Sequence, residues 1–187
     1  MSTLFWVCFI ALVYIYVGYP TLVWILARLF GKSIQRETIT PTVSLLIPAH
    51  NEQDYLEEKL RNSLALDYPK DRLEIVVASD GSTDRTCEIA EQFADSRVKL
   101  VRMSRHVGKT LLLNQTVPML RGQIVVFSDA SSLLQPDALR KIVRNFADPT
   151  VGCVCGLYGL LPSGAGSHPG GSDLRAQGEG VYGKYET

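Results

Sequence analysis

VSLLIPAHNE at Val43–Glu52, LEIVVASDGSTD at Leu73–Asp84 and QIVVFSDASS at Gln123–Ser132 share one pattern, a short apolar, β-branched run that breaks off into a loop bearing a carboxylate. A buried strand that ends at Pro, Gly, Asn, Asp or Ser and gives way to a helical pattern predicts alternating strand and helix around a mostly parallel sheet. In an α/β sheet of this kind, ligands bind beyond the carboxyl ends of the strands.

Working outward, the strands are predicted at Val43–Ile47, Leu73–Ala78, Val98–Met103, Gln123–Phe127 and Val151–Gly156. Leu56, Leu60 and Leu64 recur every four residues, with Glu57, Glu58, Lys59 and Arg61 between them, so a helix there shows one apolar face to the sheet. Further helices are expected from about Asp84 to Phe93, burying Ile89, Ala90 and Phe93, and over Gly108 to Val117, broken near Pro118. Pro136 opens another, with Leu139, Ile142, Val143 and Phe146 inward. Right-handed crossovers and the commonest doubly wound order place the strands 3-2-1-4, with a crevice between strands 1 and 4. The loops His50-Asn51-Glu52 and Asp129-Ala130-Ser131 then face each other, with Asp80-Gly81-Ser82 one strand away.

No charge occurs from Leu4 to Ala27, and at about 1.5 Å per residue this run would cross the roughly 30 Å hydrocarbon layer as a transmembrane helix. Trp6 and Trp24 lie near its ends as interfacial anchors, and Pro20 is expected to kink it. Arg28, Lys32 and Arg36 follow while no Lys or Arg precedes, which orients the rest of the chain toward the cytoplasm from a plasma or inner membrane. A cleaved signal peptide fits less well, because a basic start and a small-residue cleavage site are both missing. The expected partition is a helix at 1–30, a polar linker at 31–42, a nucleotide-binding domain at 43–160 and a Gly- and Ser-rich loop region at 161–187.

With 46% hydrophobic residues among 187 and zero formal net charge, the chain has material for one ordinary domain plus an apolar segment. Neither a basic excess nor a basic stripe with interleaved aromatics is present, which argues against a nucleic-acid binder. Cys8, Cys87, Cys153 and Cys155 lack metal-site spacing and are expected to be reduced core thiols. Gly108-Lys109-Thr110 resembles the end of a P-loop, but the leading Gly should fall where Met103 stands; no G-x-G-x-x-G follows the first strand either.

P-A-H-N-E after strand one, S-D-G-S-T-D after strand two, a later G-K before a helix and F-S-D-A-S ending strand four together resemble a family 2 glycosyltransferase of the membrane polysaccharide-synthase branch. That resemblance implies a Rossmann-like GT-A domain over Val43 to about Gly156, binding a nucleotide-sugar, by expectation a UDP-sugar. It places Pro48, Asn51 and Glu52 around the uridine, Asp80 against the base and Lys109 near the nucleotide. Each also has a plain structural reading, with Asn51 as a helix N-cap, Asp80-Gly81 as an ordinary turn and Lys109 as a solvated cation.

A departing nucleoside diphosphate develops negative charge that Mg²⁺ or Mn²⁺ on the phosphates would offset. The family commonly supplies Asp-x-Asp for that ion; here Asp129 is followed by Ala130 and Ser131, so Asp129 and the weaker Ser131 hydroxyl are the candidate ligands. An inverting transfer also needs a general base, which the family places well after strand five. No residue of this sequence is assigned to that role, and Glu179 and Glu186 fit it poorly. The expectation is the donor-binding half of an inverting enzyme, truncated before its base, that serves a growing glycan or lipid-linked acceptor at a lipid bilayer. The alternatives are a catalytically inactive nucleotide-binding or interaction module of the membrane, or a nucleotidyltransferase, which would want a Gly-rich loop where Ala49-His50-Asn51 stands.

Overall fold

The computed structural model describes residues 2–31, 33–94, 97–156, 158–160, 176–178 and 181–184, the last three segments as backbone only. The chain divides into two units, Met1–Ile34 and Gln35–Thr187.

The first unit is a helix from Ser2 to Phe30, long and apolar enough to cross a membrane, with none of its side chains buried in protein. It comprises α1 (Ser2–Val13), a π-helical turn (Tyr14–Gly18) and α2 (Tyr19–Phe30). Where the sequence predicts a kink at Pro20, the structure widens the turn before it, and the Tyr19 N–H reaches back to the Tyr14 carbonyl. A proline ring clashes with the carbonyl four residues earlier, and a wider turn moves that carbonyl aside. The Arg28 guanidinium lies 4.9 Å from the centroid of the Trp24 ring.

The second unit is built on β1 (Val43–Ala49), β2 (Leu73–Asp80), β3 (Val98–Met103) and β4 (Ile124–Phe127), parallel and in the order β3-β2-β1-β4. This is the order expected from the sequence. Val43 to Ile47 are all buried, the continuous burial of a strand covered on both faces. One face of the sheet packs Leu45, Ile47, Ile75 and Val77 against α3 (Gln53–Leu64), α4 (Thr86–Gln92) and α6 (Ala138–Val143). The other packs Leu46, Val76, Ala78 and Val125 against Leu112 of α5 (Lys109–Thr116). Each fully buried leucine of α3, Leu56 and Leu60, contributes roughly 2 kcal/mol of transfer free energy.

Several expectations are corrected. β5 shrinks to Cys153–Cys155, and β8 (Val181–Lys184) lies between β4 and β5, antiparallel to both. β6 (Tyr158–Leu160) and β7 (Ala176–Gly178) form a separate antiparallel pair, so strand enters the region 161–187 that reads as loop. These strands are three or four residues long and rich in Gly, too short for a periodic signal. Cys8, Cys153 and Cys155 are exposed and Cys87 is half-buried, all of them free thiols; on an edge strand such as β5, thiols do not reach the core.

Gly81 turns the chain after β2 at φ 64°, and a β-carbon there would stand 2.4 Å from the His106 nitrogen and 2.5 Å from the Arg105 carbonyl carbon. The 105–108 segment therefore rests directly on this turn. Gly81→Ala is expected to cost at least ~2 kcal/mol through left-handed strain plus this clash, read as a lower midpoint in chemical denaturation of the full chain.

Candidate functional site

β1, β2 and β4 run parallel, with β2 on one side of β1 and β4 on the other, and a cavity of about 300 Å³ opens beyond their carboxyl ends. Pro48, Glu52, Asp80, Lys109, Asp129 and Ser131 line it, together with Ala49, His50, His106, Leu112 and Ala130. Six of the seven residues expected at the site are thus brought together. Asn51 is not among the lining residues.

Asn51 instead holds two loops together. It sits at φ 55°, a left-handed conformation that Asn adopts more readily than most residues, and its Oδ1 accepts the Thr83 N–H at 2.9 Å. Its N-cap reading is also corrected, because the first donors of α3 go to the second loop: Glu52 N–H to Thr86 Oγ1 at 2.8 Å and Gln53 N–H to Asp84 Oδ2 at 3.2 Å. Burial pushes the Asp84 carboxyl up, but the hydrogen bonds from Thr86 and Gln53 outweigh it and hold it below the usual range.

Asp80 is buried at the tip of β2, and its oxygens are already engaged. The Val107 N–H donates to Oδ1 at 2.7 Å, the Gly108 N–H to Oδ2 at 2.9 Å, and His106 Nδ1 lies 2.9 Å from Oδ2. Gly108, at φ 90°, makes the turn that delivers these donors. Asp80 thus pins the loop that carries Lys109 and at the same time lines the cavity. His50 donates from Nδ1 to the Asp80 carbonyl at 2.7 Å, and the His50 and His106 rings stand 4.3 Å apart by centroid. Both imidazoles border the cavity. His50 stands inside the quoted P-A-H-N-E motif, where its ring could have been read as a wall of the site; His106 lies two residues before the G-K pair and carries no such signal.

Charge is concentrated on the β4 side. Lys109 Nζ meets Asp129 Oδ1 at 2.7 Å, a half-exposed pair worth no more than ~1 kcal/mol and therefore easily rearranged. Burial, then Asp129, Asp84 and Asp54, push the Glu52 carboxyl up, while His50 opposes them. Bringing a cation between Glu52 and Asp129 would relieve that repulsion. Glu179 and Glu186, the weak candidates for a base, lie outside the described residues.

The largest departure from the sequence is Lys59, which is fully buried. Its Nζ donates to Ser128 Oγ and to the Ser132 carbonyl, both at 2.6 Å, gripping the two ends of the loop that carries Asp129 and Ser131. Burial lowers its pKa to about 7, with Asp129 pulling the other way. The signal was present: Leu56, Lys59, Leu60 and Ser63 are the buried residues of α3, an i, i+3, i+4, i+7 stripe. Reading the helix by its leucines alone put the lysine on the wrong face.

Because the folded chain binds this proton less tightly than the unfolded one, stability should rise with pH from about 7 toward the ordinary lysine value. Below that window the penalty is fully present. Lys59→Met removes the titration. Denaturation of the full chain in detergent at pH 7 and pH 9 is expected to show the parent gaining up to ~1.4 kcal/mol per pH unit relative to the variant, and equal gains would contradict the burial.

The family profile described as Glycosyl transferase family 2 matches residues 44–163. The chain is 36% identical over 118 residues to the beta-monoglucosyldiacylglycerol synthase of Synechocystis sp., covering 61% of this chain and 25% of that protein. It is 33% identical over 116 residues to a poly-beta-1,6-N-acetyl-D-glucosamine synthase of Staphylococcus aureus, covering 61% and 28%. Among solved structures it is similar to the mannosyltransferase PcManGT from Pyrobaculum calidifontis in complex with GDP-Man and Mn²⁺, with a TM-score of 0.67 at 37% identity over 79% of this chain and 46% of that one. It also resembles S. aureus TarS 1-349 in complex with UDP-GlcNAc, with a TM-score of 0.51 at 26% identity over 54% and 29%. The chain spans little more than a quarter of the length of these curated relatives. With a profile match that runs from β1 through β6 and takes in the whole cavity, the chain belongs to glycosyl transferase family 2 and carries its GT-A-type sheet.

Proposed function

We propose that this chain is the membrane-anchored, donor-binding part of a glycosyltransferase that takes a sugar from a UDP-sugar and passes it, with inversion, to a growing glycan or lipid-linked acceptor at the cytoplasmic face. The observation that carries this reading is the convergence of Glu52, Asp80, Lys109 and Asp129 on one cavity at the β1/β4 switch point. Similar structures hold GDP-Man with Mn²⁺ and UDP-GlcNAc, which supports the class of donor. In this reading residues 1–30 anchor the chain, 31–42 link, 43–160 bind the donor and 161–187 begin the acceptor side. An interaction module without nucleotide chemistry is disfavoured, since the cationic and anionic groups such a module would not need are kept together here.

The donor set beside β4 fits a hard divalent cation that is held largely by its substrate. It offers one carboxylate with Oδ2 unengaged among the described residues and a neighbouring hydroxyl, and no cluster of three His, Cys, Asp or Glu among those residues could hold an ion alone. Asp129 and Ser131 would hold Mg²⁺ or Mn²⁺ together with diphosphate oxygens, and the ion would offset charge on the leaving nucleoside diphosphate. Lys109 exchanges its weak pairing with Asp129 for a phosphate oxygen. The Lys59 grip keeps the Asp129 loop in place while this happens, so little of the binding energy is spent on ordering it. Pro48 and His50 border the space left for the base and ribose.

Calorimetric titration of the full chain in detergent with UDP and MnCl₂ tests the proposal. Saturable, Mn²⁺-dependent binding is expected, weakened about tenfold or more by Asp129→Asn and by Lys109→Met, each of which removes a charge-assisted contact. Absence of Mn²⁺-dependent UDP binding by the parent chain would overturn it.

A further inference from the structure

Asp80 is expected against the nucleobase, yet it is only 2% exposed and its capacity to accept hydrogen bonds is nearly spent. A carboxylate oxygen offers two lone pairs. Oδ2 receives the Gly108 N–H and His106 Nδ1, each at 2.9 Å, and Oδ1 receives the Val107 N–H at 2.7 Å. The imidazole laid over this carboxylate is the group left facing outward: the His106 side chain is 61% exposed and borders the donor cavity.

The partners of that ring fix its tautomer. An ionised carboxylate and a backbone carbonyl accept hydrogen bonds and do not donate, so the nitrogen that faces them carries the proton. For His106 this is Nδ1, 2.9 Å from Asp80 Oδ2 and 3.4 Å from the Asp80 carbonyl. In the neutral ring Nε2 then holds a bare lone pair. His50, from the loop after β1, donates its own Nδ1–H to the Asp80 carbonyl at 2.7 Å, and the two rings stand 4.3 Å apart by centroid with 44° between their planes. Val107 and Gly108, pinned to the same carboxylate, hold the backbone from which His106 projects. A ring bonded at Nδ1 and backed by a second ring presents one nitrogen, in one protonation form, to whatever enters the cavity.

We propose that His106 reads the nucleobase of the donor, its Nε2 accepting the N3–H of uracil. The inference rests on the donor-site reading above and deepens it. β1 lies between the strands that carry Asp80 and Asp129, a separation of two strand spacings or about 10 Å, which leaves room for a ribose between a diphosphate at the β4 side and a base at the β2 side. Uracil carries a proton on N3, whereas cytosine carries a lone pair at the same ring position. An acceptor whose tautomer is set by its own hydrogen bond attracts the first and repels the second, and a site built to bond an N–H rejects an analogue that lacks it. Asp80, too deep and too occupied to meet the base itself, is left to hold the ring that does.

Calorimetric titrations of the full chain in detergent with MnCl₂ at pH 8 compare UDP, CDP and 3-methyluridine diphosphate, in which a methyl group replaces the N3 proton. The parent is expected to bind UDP about tenfold or more tighter than either analogue. His106→Phe keeps a ring and loses both nitrogens, and is expected to bring the three affinities within about twofold of one another by weakening UDP. Because this selectivity is a ratio of affinities read on one protein, a smaller folded fraction in the variant does not mimic its loss. Selectivity that persists in His106→Phe, or a parent that binds the three nucleotides alike, overturns the inference and leaves the donor site standing. A parent that binds no UDP sinks the donor-site reading and this inference with it.

Discussion

A buried carboxylate must find donors, and Asp80 finds them in the backbone of residues 107 and 108. Leaving either N–H or the carboxylate unpaired at that depth would cost roughly 1–3 kcal/mol. The bond pair therefore fixes where the 105–108 segment lies, and Gly81 permits the contact by lacking a β-carbon. Lys109 follows immediately, so its reach to Asp129 across the cavity is set by an acid on a different strand. The wall of the cavity that carries Lys109 is a consequence of satisfying Asp80.

The opposite wall depends on a buried cation. Lys59 holds the Ser128 hydroxyl and the Ser132 carbonyl, and the loop between them presents Asp129 and Ser131. Asp129 is the one acid on that loop, and it favours the protonated form of the Lys59 amine that burial disfavours. Glu52 belongs to the same electrostatic unit, since Asp129 raises its carboxyl. Two loops, each pinned by one ionisable side chain from another element, form the two sides of the cavity.

Much of this was legible in the sequence because it depends on period and punctuation. Runs such as Leu45–Ile47 and Ile75–Ala78 are apolar at every position, as a strand covered on both faces requires, and the order 3-2-1-4 with its crevice follows from connection rules. The meeting of Glu52, Asp80 and Asp129 follows from that order. The rest was hidden because it is made by backbone geometry or by residues acting against type. Asn51 reads as a cap, yet its conformation turns its amide toward Thr83. Lys59 reads as a surface charge by chemistry, although its spacing from Leu56 and Ser63 places it inside. β7 and β8 are short and Gly-containing, and pairing alone makes them strands.

β8 has an implication for the order in which the molecule is made. Ile124 pairs with Lys184, and Val126 with Tyr182, so the strand that leads into Asp129 gains its second neighbour from a segment far downstream of it in the sequence. Until those residues leave the ribosome, β4 is an edge with unpaired N–H and C=O groups, open to pairing with another nascent copy. The β3-β2-β1-β4 core is complete well before then. Synthesis thus passes through an interval in which the sheet is assembled but one flank is unprotected, and a ribosomal pause before residue 181 would lengthen that interval and with it the opportunity for aggregation.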